Sequence, residues 1–393
     1  MREKNIKIVY ILGPTSMDGS LISLQIILDG MIDLGCDIVI LISNLNCNYD
    51  FIDYIKARGC VLESFEDETS VYPDCQLFGW QNNFVKFPWR LMRKLYRLSR
   101  SNQQVLTLIQ KHNPDIVHTN VGVFQQGLRA CNKLGIPHLW HLREYQTKDF
   151  GWTIMPSKSS FKRLLRTTNV VAITNDILEY FDLKSIKTAK AMWNGILPAA
   201  SAVYVHEKKP YFLSANRISP EKRVEVAIKA FASIADKLPE HRLIIVGKSQ
   251  NKSYSEKLAE LVSSLSVGDR IEFHDFRPDV VNLMKDATAL VVASNFEGLG
   301  RMTVEASFMG CLVLGRNTGG TKEILNATGG GYLFNSSEEL KEQMMRVANI
   351  AGTEAYRKKA LAAQRIAIDN FSNEQYCLGI FDMYKHIISI QTN

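Results

Sequence analysis

The 393-residue chain is poor in cysteine, and its cysteines show no pairing pattern. There are seven of them, an odd number, and they are scattered without a Cys-x-x-Cys pair. Disulfide frameworks and cysteine-based zinc sites are usually built from closely spaced pairs. The sequence therefore argues against both, and it indicates a reducing compartment.

A long hydrophobic run is also lacking at the start of the chain. The apolar stretch 6–12 is too short for a signal peptide or a membrane-spanning helix and is typical of a buried first strand. The composition, 46% hydrophobic and 22% charged, is that of a soluble globular protein, and the length predicts two domains. We therefore expect a cytoplasmic protein.

A strong charge bias is the third missing feature, since the formal net charge is only +7 at pH 7. A dedicated nucleic-acid groove requires a stronger positive bias, so we expect no nucleic-acid partner. A modest positive excess favours an anionic small-molecule ligand or an anionic membrane surface.

What the chain does have is a regular alternation of short apolar runs and helical stretches. Strands are predicted at 6–12, 37–43, 60–63, 115–118, 138–141, 170–174, 211–215, 242–246, 270–273, 289–293 and 311–314. A turn-rich segment from Asn194 onward separates two series of strands. Alternation of this kind predicts an α/β protein with two Rossmann-like domains, which we expect at 1–200 and 201–372.

The most informative stretch is 294–320, SNFEGLGRMTVEASFMGCLVLGRNTGG. It predicts a turn, Glu297-Gly298-Leu299-Gly300, between a buried strand and a helix that begins at Arg301. Such a turn leaves free backbone N–H groups at the start of the helix, where they favour an anion, typically a phosphate. Gly19, at the predicted start of the first helix, marks a weaker candidate of the same kind.

Charged side chains accompany this turn. Glu297 lies within it and Glu305 follows two helical turns later; a carboxylate only accepts hydrogen bonds, which suits sugar hydroxyls. Arg217 and Lys222 flank an earlier turn at a strand end, where two cations favour a diphosphate. Together these residues favour a nucleotide-sugar ligand. The alternative is an ordinary Rossmann crossover with solvated charges.

Two histidines end predicted strands, at the edge where α/β sheets bind ligands. They are His118 in PDIVHTN and His141 in PHLWHLRE, and His141 has Arg143 and Glu144 beside it. Histidine at such a position is able to donate to a phosphate or a hydroxyl, although a structural role is the alternative.

The stretch 84–100, FVKFPWRLMRKLYRLSR, is basic and contains no acidic residue. Its cations recur at helical spacing, with leucines on another side. This pattern is typical of a helix on an anionic membrane, where each cation contributes roughly 1 kcal/mol. The alternative is a core-packed helix with a solvated basic face. The candidate membrane or acceptor residues are Trp89, Arg90, Arg93, Lys94 and Arg97.

Arg217, Lys222 and the pair Glu297-x7-Glu305, in this order, resemble the retaining glycosyltransferases of family four, which have the GT-B fold. Further similar positions are Asn194-Gly195 and Gly319-Gly320. The resemblance spans nearly the whole chain and is strongest over 194–325. It implies two Rossmann-like domains facing each other across a cleft, with a final helix, 373–393, that crosses back to the N-terminal domain.

The resemblance also implies roles. Arg217 and Lys222 would hold the donor diphosphate, Glu305 the ribose and Glu297 the donor sugar, while His141 would lie near the reacting sugar. The implied catalytic residues are His141, Arg217, Lys222 and Glu297. The implied donor-binding residues are Gly19, Arg217, Lys222, Glu297, Gly298, Leu299, Gly300, Arg301 and Glu305. The adjacent glycine pair usual in the family near Gly19 is missing here.

The chemistry implied by the resemblance is hexose transfer with retention, without a metal. The chain lacks Asp-x-Asp, the metal-diphosphate motif of the other main glycosyltransferase fold. We therefore expect no metal site and no cofactor, with the nucleotide-sugar, by family habit a UDP-sugar, as substrate.

The leading hypothesis is a transferase peripheral to the inner face of the cell membrane. It would glycosylate a lipid-linked saccharide during capsule, exopolysaccharide or O-antigen synthesis. Alternatives are a soluble transferase on a small or glucan acceptor, a nucleotide-sugar epimerase of the same fold, and a degenerate transferase that serves as an assembly partner.

Overall fold

The computed structural model describes residues 5–13, 19–43, 49–73, 80–249 and 251–392. The chain divides into two compact units, one made of Met1–Asn194 and Tyr376–Asn393, the other of Gly195–Gln375. Within the described ranges, no helix is both long enough and apolar enough to cross a membrane.

The first unit is a parallel sheet with helical connections. Its strands are β1 Lys7–Leu12, β2 Asp37–Ile42, β3 Val61–Ser64, β4 Ile116–Thr119, β5 His138–Leu142, β6 Asn169–Ala172 and β7 Ala189–Ala191. They are parallel and lie in the order β3-β2-β1-β4-β5-β6-β7. Its helices are α1 Gly19–Asp33, α2 Tyr49–Ala57, α3 Trp80–His112, α4 Gln126–Leu134, α5 Thr147–Phe150, α6 Lys158–Leu165 and α7 Asn175–Tyr180.

The second unit repeats the plan with six strands. They are β8 Lys209–Ala215, β9 Arg242–Val246, β10 Ile271–His274, β11 Ala287–Val292, β12 Val313–Arg316 and β13 Gly331–Phe334. All are parallel, in the order β10-β9-β8-β11-β12-β13. Its helices are α8 Val224–Ala232, α9 Lys252–Ser263, α10 Val280–Asp286, α11 Arg301–Phe308, α12 Gly319–Thr328, α13 Ser337–Ile350 and α14 Glu354–Phe371. The predicted α/β fold class is confirmed.

The last helix, α15 Asn373–Thr392, belongs to the first unit from Tyr376 onward. Its buried residues Tyr376, Ile380, Tyr384 and Ile387 recur every three or four positions and so lie on one face of the helix. This face joins the core of the first unit.

The inner strands of the first sheet are buried on both faces, as their apolar runs require. In β1, Ile8 and Tyr10 pack in one core cluster with residues of α1 and α15. Val9 and Ile11 point the opposite way and pack with residues of α3 and α4. The second sheet is covered in the same manner, which leaves the strand ends as the places for polar side chains.

Two local differences from the predicted elements have clear physical causes. The apolar spacing predicts one helix over 221–237, but Arg223 adopts a left-handed conformation with φ 51° and α8 begins only after it. Strand β13 has only four residues, of which only Phe334 is buried, so its pairing with β12 reveals it and the sequence pattern does not.

Truncation of a core aromatic in the second unit tests this packing. Phe231 is fully buried in α8 and its ring lies 6.4 Å from that of Phe212. We expect Phe231→Ala to lower the free energy of unfolding by about 3–5 kcal/mol, because it leaves a cavity. Phe276 is 70% exposed, so Phe276→Ala is the matched control and changes stability by less than about 0.5 kcal/mol. Urea denaturation followed by circular dichroism measures both, and equal effects would contradict the packing described.

Candidate active site

The candidate donor site lies at the carboxyl ends of β8 and β11, which are neighbours in the second sheet although far apart in sequence. The loop after β8 carries Arg217 and Lys222, and the loop after β11 carries Glu297. A backbone hydrogen bond of 2.9 Å from Asn295 N–H to the Glu221 carbonyl ties the two loops together. The sheet order therefore unites charges that the sequence separates by about 75 residues.

Lys222 and Glu297 form an ion pair, with Nζ 2.6 Å from Oε1. The Ser294 hydroxyl donates to the same carboxylate oxygen at 2.6 Å. Within the described part of the chain, Oε2 of Glu297 has no hydrogen-bond partner, and the Lys222 ammonium keeps two further N–H groups. Both side chains therefore retain hydrogen-bonding capacity for a ligand.

Close backbone approach shapes the glycine turn. Gly300 has φ 83° and ψ 53° and immediately precedes α11. The Gly320 N–H donates to the Glu297 carbonyl at 2.8 Å, and a Cβ on Gly320 would lie 2.2 Å from the Leu299 carbonyl oxygen. Only glycine allows this contact, which brings the start of α12 against the turn before α11.

Glu305 and Arg301 lie on adjacent turns of α11, with Arg301 Nη2 3.7 Å from Glu305 Oε1. Glu305 is only 8% exposed, and this burial raises its pKa to about 7, although the Arg301 charge opposes the shift. From the sequence, Arg301 was expected to contribute only its backbone N–H group to the site. The structure adds a largely buried guanidinium beside Glu305.

Three buried polar atoms around the turn have no hydrogen-bond partner among the described residues: Arg301 Nη1, Thr303 Oγ1 and Thr321 Oγ1. Burying a polar atom without a partner is unfavourable by roughly 1–3 kcal/mol, so native proteins keep few of them. Their concentration beside a glycine turn indicates a place for a polar ligand. Thr303 and Thr321 were not predicted as site residues from the sequence, because nothing in their spacing distinguishes them from other threonines.

In the first unit, His118 and His141 are both fully buried at the ends of β4 and β5. His118 Nε2 lies 3.2 Å from His141 Nδ1, and Arg143 Nη2 lies 3.3 Å from the same His141 nitrogen. Burial and then the Arg143 charge lower the pKa of both histidines well below the ordinary value. Both rings are therefore neutral at physiological pH.

The structure divides the predicted membrane residues between two sides of α3. Lys94 Nζ lies 2.5 Å from Glu68 Oε1, and Arg97 Nε lies 3.2 Å from Glu66 Oε1. Other side chains of α3 are exposed, and some of them are large and hydrophobic. They are Trp89 at 63%, Met92 at 71% and Tyr96 at 64% exposure. Lys94 and Arg97 are thus paired with acidic residues of the preceding segment, which reduces the positive charge that they offer to an anionic surface.

Gly19 begins α1, as the glycine signal predicts. The preceding residues of that loop, 14–18, lie outside the described residues. Arg217 is exposed on the loop that follows β8.

Comparison with known proteins finds a family match over part of the chain. Residues 200–364 match the family model of glycosyl transferases group 1. An uncharacterised glycosyltransferase of Methanocaldococcus jannaschii is 25% identical over 292 residues, covering 71% of this chain and 78% of the relative.

Two solved structures share the fold over nearly the whole chain. A glycosyltransferase of Rickettsia africae superimposes with a TM-score of 0.77 at 19% identity, covering 98% of this chain and 99% of that one. HepE of Anabaena, solved in complex with UDP, has a TM-score of 0.76 at 18% identity, covering 97% and 100%. The chain therefore has the GT-B fold.

The raised pKa of Glu305 predicts a pH-dependent stability. Between pH 4.5 and 7 the folded protein holds a proton on Glu305 that the unfolded chain releases. The stability that this proton contributes is complete below the unfolded-state pKa and is lost as the pH rises through about 7. The shift corresponds to roughly 3 kcal/mol.

We therefore expect Glu305→Gln to gain stability over the wild type by roughly 3 kcal/mol as the pH rises from 4.5 to 8. Urea denaturation at several pH values measures the difference. Glu260→Gln, at an exposed position of α9, is the control and leaves the profile unchanged. A constant difference between Glu305→Gln and wild type across this range would show that Glu305 is ionised throughout.

Proposed function

We propose that the protein is a retaining, metal-independent hexosyltransferase that uses a nucleotide diphosphate sugar, with UDP as the nucleotide. The observation that carries this proposal is the Lys222–Glu297 pair beside a glycine turn rimmed by unpartnered buried polar atoms. It offers positive charge, backbone N–H groups and a free carboxylate oxygen within one loop cluster. These are the groups that a diphosphate and a sugar need.

The diphosphate is assigned to Arg217, Lys222 and the backbone N–H groups at the start of α11. As the bond to the sugar breaks, negative charge accumulates on the departing β-phosphate, and fixed donors stabilise that charge. The two remaining N–H groups of the Lys222 ammonium are suited to this task while the third stays with Glu297. The leaving phosphate takes the proton of the acceptor hydroxyl in this account, so no side-chain base is assigned.

The two carboxylates are assigned to sugar hydroxyls. Oε2 of Glu297 is the acceptor left over for the transferred hexose, and Glu305 accepts from the ribose hydroxyls. Ionised Glu305 accepts from both hydroxyls. Because burial holds its pKa at about 7 in the free protein, bound hydroxyls would lower this pKa and favour the ionised form. The UDP present in the similar Anabaena structure supports uridine as the base.

The acceptor is proposed to be a lipid-linked saccharide, reached by peripheral contact with the anionic inner face of the cell membrane during surface-polysaccharide synthesis. The supporting observation is the exposed face of α3, on which Trp89, Met92 and Tyr96 follow one another at helical spacing. Arg93 lies between them, with its guanidinium 5.8 Å from the Trp89 ring. Aromatic and apolar side chains flanked by cations favour the interface of an anionic bilayer.

Loss of the Lys222 ammonium tests the donor assignment. We expect Lys222→Ala to lower the transfer rate on the order of 10²- to 10³-fold, because one donor to the leaving phosphate is removed. Lys252→Ala, at a lysine that is 92% exposed on α9, is the matched control. The measurement is UDP release from UDP-sugars with and without saccharide acceptors, together with the thermal unfolding midpoint of each variant.

A near-normal rate for Lys222→Ala would refute the assignment. Conversion of the donor sugar to its epimer without any acceptor would instead identify an epimerase. Transfer to free saccharides that needs neither lipid nor vesicle would favour the soluble alternative.

The membrane assignment predicts different effects for two sets of residues on α3. Replacement of Trp89, Met92 and Tyr96 by Ser should reduce binding to anionic vesicles at least about 10-fold, because the inserted apolar surface is lost. Phe276→Ser removes an equally exposed aromatic far from α3 in sequence and leaves binding unchanged. Vesicle flotation measures the binding of both variants. By the same measurement, Lys94→Ser should reduce binding less than Arg93→Ser does, because Glu68 already neutralises Lys94. If the triple variant still floats with the vesicles, this face of α3 is not the membrane-binding surface.

A further inference from the structure

His118 and His141 belong to a hydrogen-bonded chain that leaves one ring nitrogen without a partner. His118 Nδ1 lies 2.5 Å from the Tyr384 hydroxyl, and His118 Nε2 lies 3.2 Å from His141 Nδ1. The Tyr384 hydroxyl in turn lies 2.9 Å from that of Tyr10. Within the described residues, Nε2 of His141 is buried and has no partner.

Arg143 determines the direction of this chain. A guanidinium donates hydrogen bonds and never accepts them. Because Arg143 Nη2 lies 3.3 Å from Nδ1 of His141, that nitrogen accepts, and the proton of a neutral His141 sits on Nε2. His118 then donates from its Nε2 to the same His141 nitrogen, whose lone pair it shares with Arg143, and accepts the Tyr384 hydroxyl hydrogen at Nδ1. Tyr384 accepts from Tyr10, so every bond in the chain has one donor and one acceptor.

The surroundings of Arg143 oppose a second positive charge. Arg143 is 7% exposed, and none of the hydrogen bonds it makes to the described part of the chain is to a carboxylate. Its hydrogen-bond partners are neutral, namely Asn120 Oδ1 and Asn194 Oδ1, each at 3.0 Å, with the Tyr376 hydroxyl and His141 at 3.3 Å. A charged His141 beside this buried cation would be repelled, and burial adds to the effect. The pKa of His141 is accordingly lowered well below its ordinary value.

We propose that Arg143, His118 and Tyr384 lock His141 in the tautomer with its proton on Nε2, so that His141 serves its ligand as a neutral hydrogen-bond donor and not as a base. The ligand atom that Nε2 meets is then an oxygen with a free lone pair, on a hydroxyl or a phosphoryl group. Arg143, His118 and Tyr384 are positioning residues for this donor. The identity of the ligand rests on the proposed function, whereas the tautomer is a property of the protein alone.

The tautomer is measured directly on the full chain labelled with ¹⁵N-histidine. Long-range ¹H–¹⁵N correlations distinguish a protonated from an unprotonated ring nitrogen, and His141→Gln assigns the signals. We expect a single tautomer of His141 with the proton on Nε2, unchanged from pH 5.5 to 8. Observation of the Nδ1–H tautomer, of a mixture or of imidazolium in this range would overturn the proposal.

Tyr384→Phe tests the positioning chain while keeping the ring that fills the core. Loss of the hydroxyl removes the donor to His118 Nδ1, so we expect His118 to populate both tautomers. His141 keeps its proton mainly on Nε2, because Arg143 still donates to Nδ1. Tyr54→Phe removes a hydroxyl of the same unit that bonds Asp29 instead, and it leaves both histidine patterns unchanged. Unaltered histidine signals in Tyr384→Phe would remove Tyr384 from the lock.

The donor role of His141 is tested by two replacements. His141→Gln keeps an N–H group near the position of Nε2, whereas His141→Ala removes it. If His141 donates, Gln retains activity within about tenfold of wild type while Ala loses on the order of 10²-fold. If His141 is a base, both variants lose activity equally and the proposal fails. Should no transferase activity be found at all, the spectra still decide the tautomer, so failure of the proposed function is distinguishable.

Discussion

The contact between Lys222 and Glu297 depends on the adjacent positions of strands β8 and β11 in the second sheet. Two strands that are separated by more than 70 residues lie side by side, and their following loops meet through a backbone hydrogen bond and this ion pair. Because the Lys222 ammonium and the Glu297 carboxylate pair with each other, each charge has a partner in the absence of a ligand. The same loops carry Arg217 and the glycine turn, so the geometry of every proposed donor contact follows from one feature of sheet order.

Both units hold buried polar groups that are incompletely satisfied. Among the residues that the structure describes, Arg301 Nη1 and the hydroxyls of Thr303 and Thr321 find no partner in the second unit, and His141 Nε2 finds none in the first. Each is unfavourable for folding taken alone, and such groups persist mainly where a ligand completes their hydrogen bonds. A ligand that does so stabilises the folded protein in proportion to how far its concentration exceeds its dissociation constant. Stability and binding are therefore linked at these sites.

Much of the fold follows from local sequence. Continuous apolar runs such as 37–43 and 242–246 read directly as buried parallel strands, because both faces of the sheet are covered. The charged residues of the proposed donor site were also selected from the sequence, because glycine turns and charges at the ends of strands favour anionic ligands. Strand β13 was missed because its half-buried residues carry too weak a signal.

Side-chain contacts between segments distant in the sequence could not be predicted from the sequence. Helical spacing shows which residues of α3 share a side, but it does not reveal that Glu66 and Glu68 neutralise Arg97 and Lys94. Likewise, Tyr384 lies 266 residues from the histidine that it contacts. The Arg301 side chain was overlooked because only its backbone position follows from the turn pattern.

The most direct measurement is a crystal structure of the protein with an intact UDP-sugar bound. The account predicts both phosphates within hydrogen-bonding distance of Arg217 and Lys222, the ribose hydroxyls on Glu305, and the hexose against Glu297. Phosphates bound away from the two cations, or a ribose that does not contact Glu305, would contradict it.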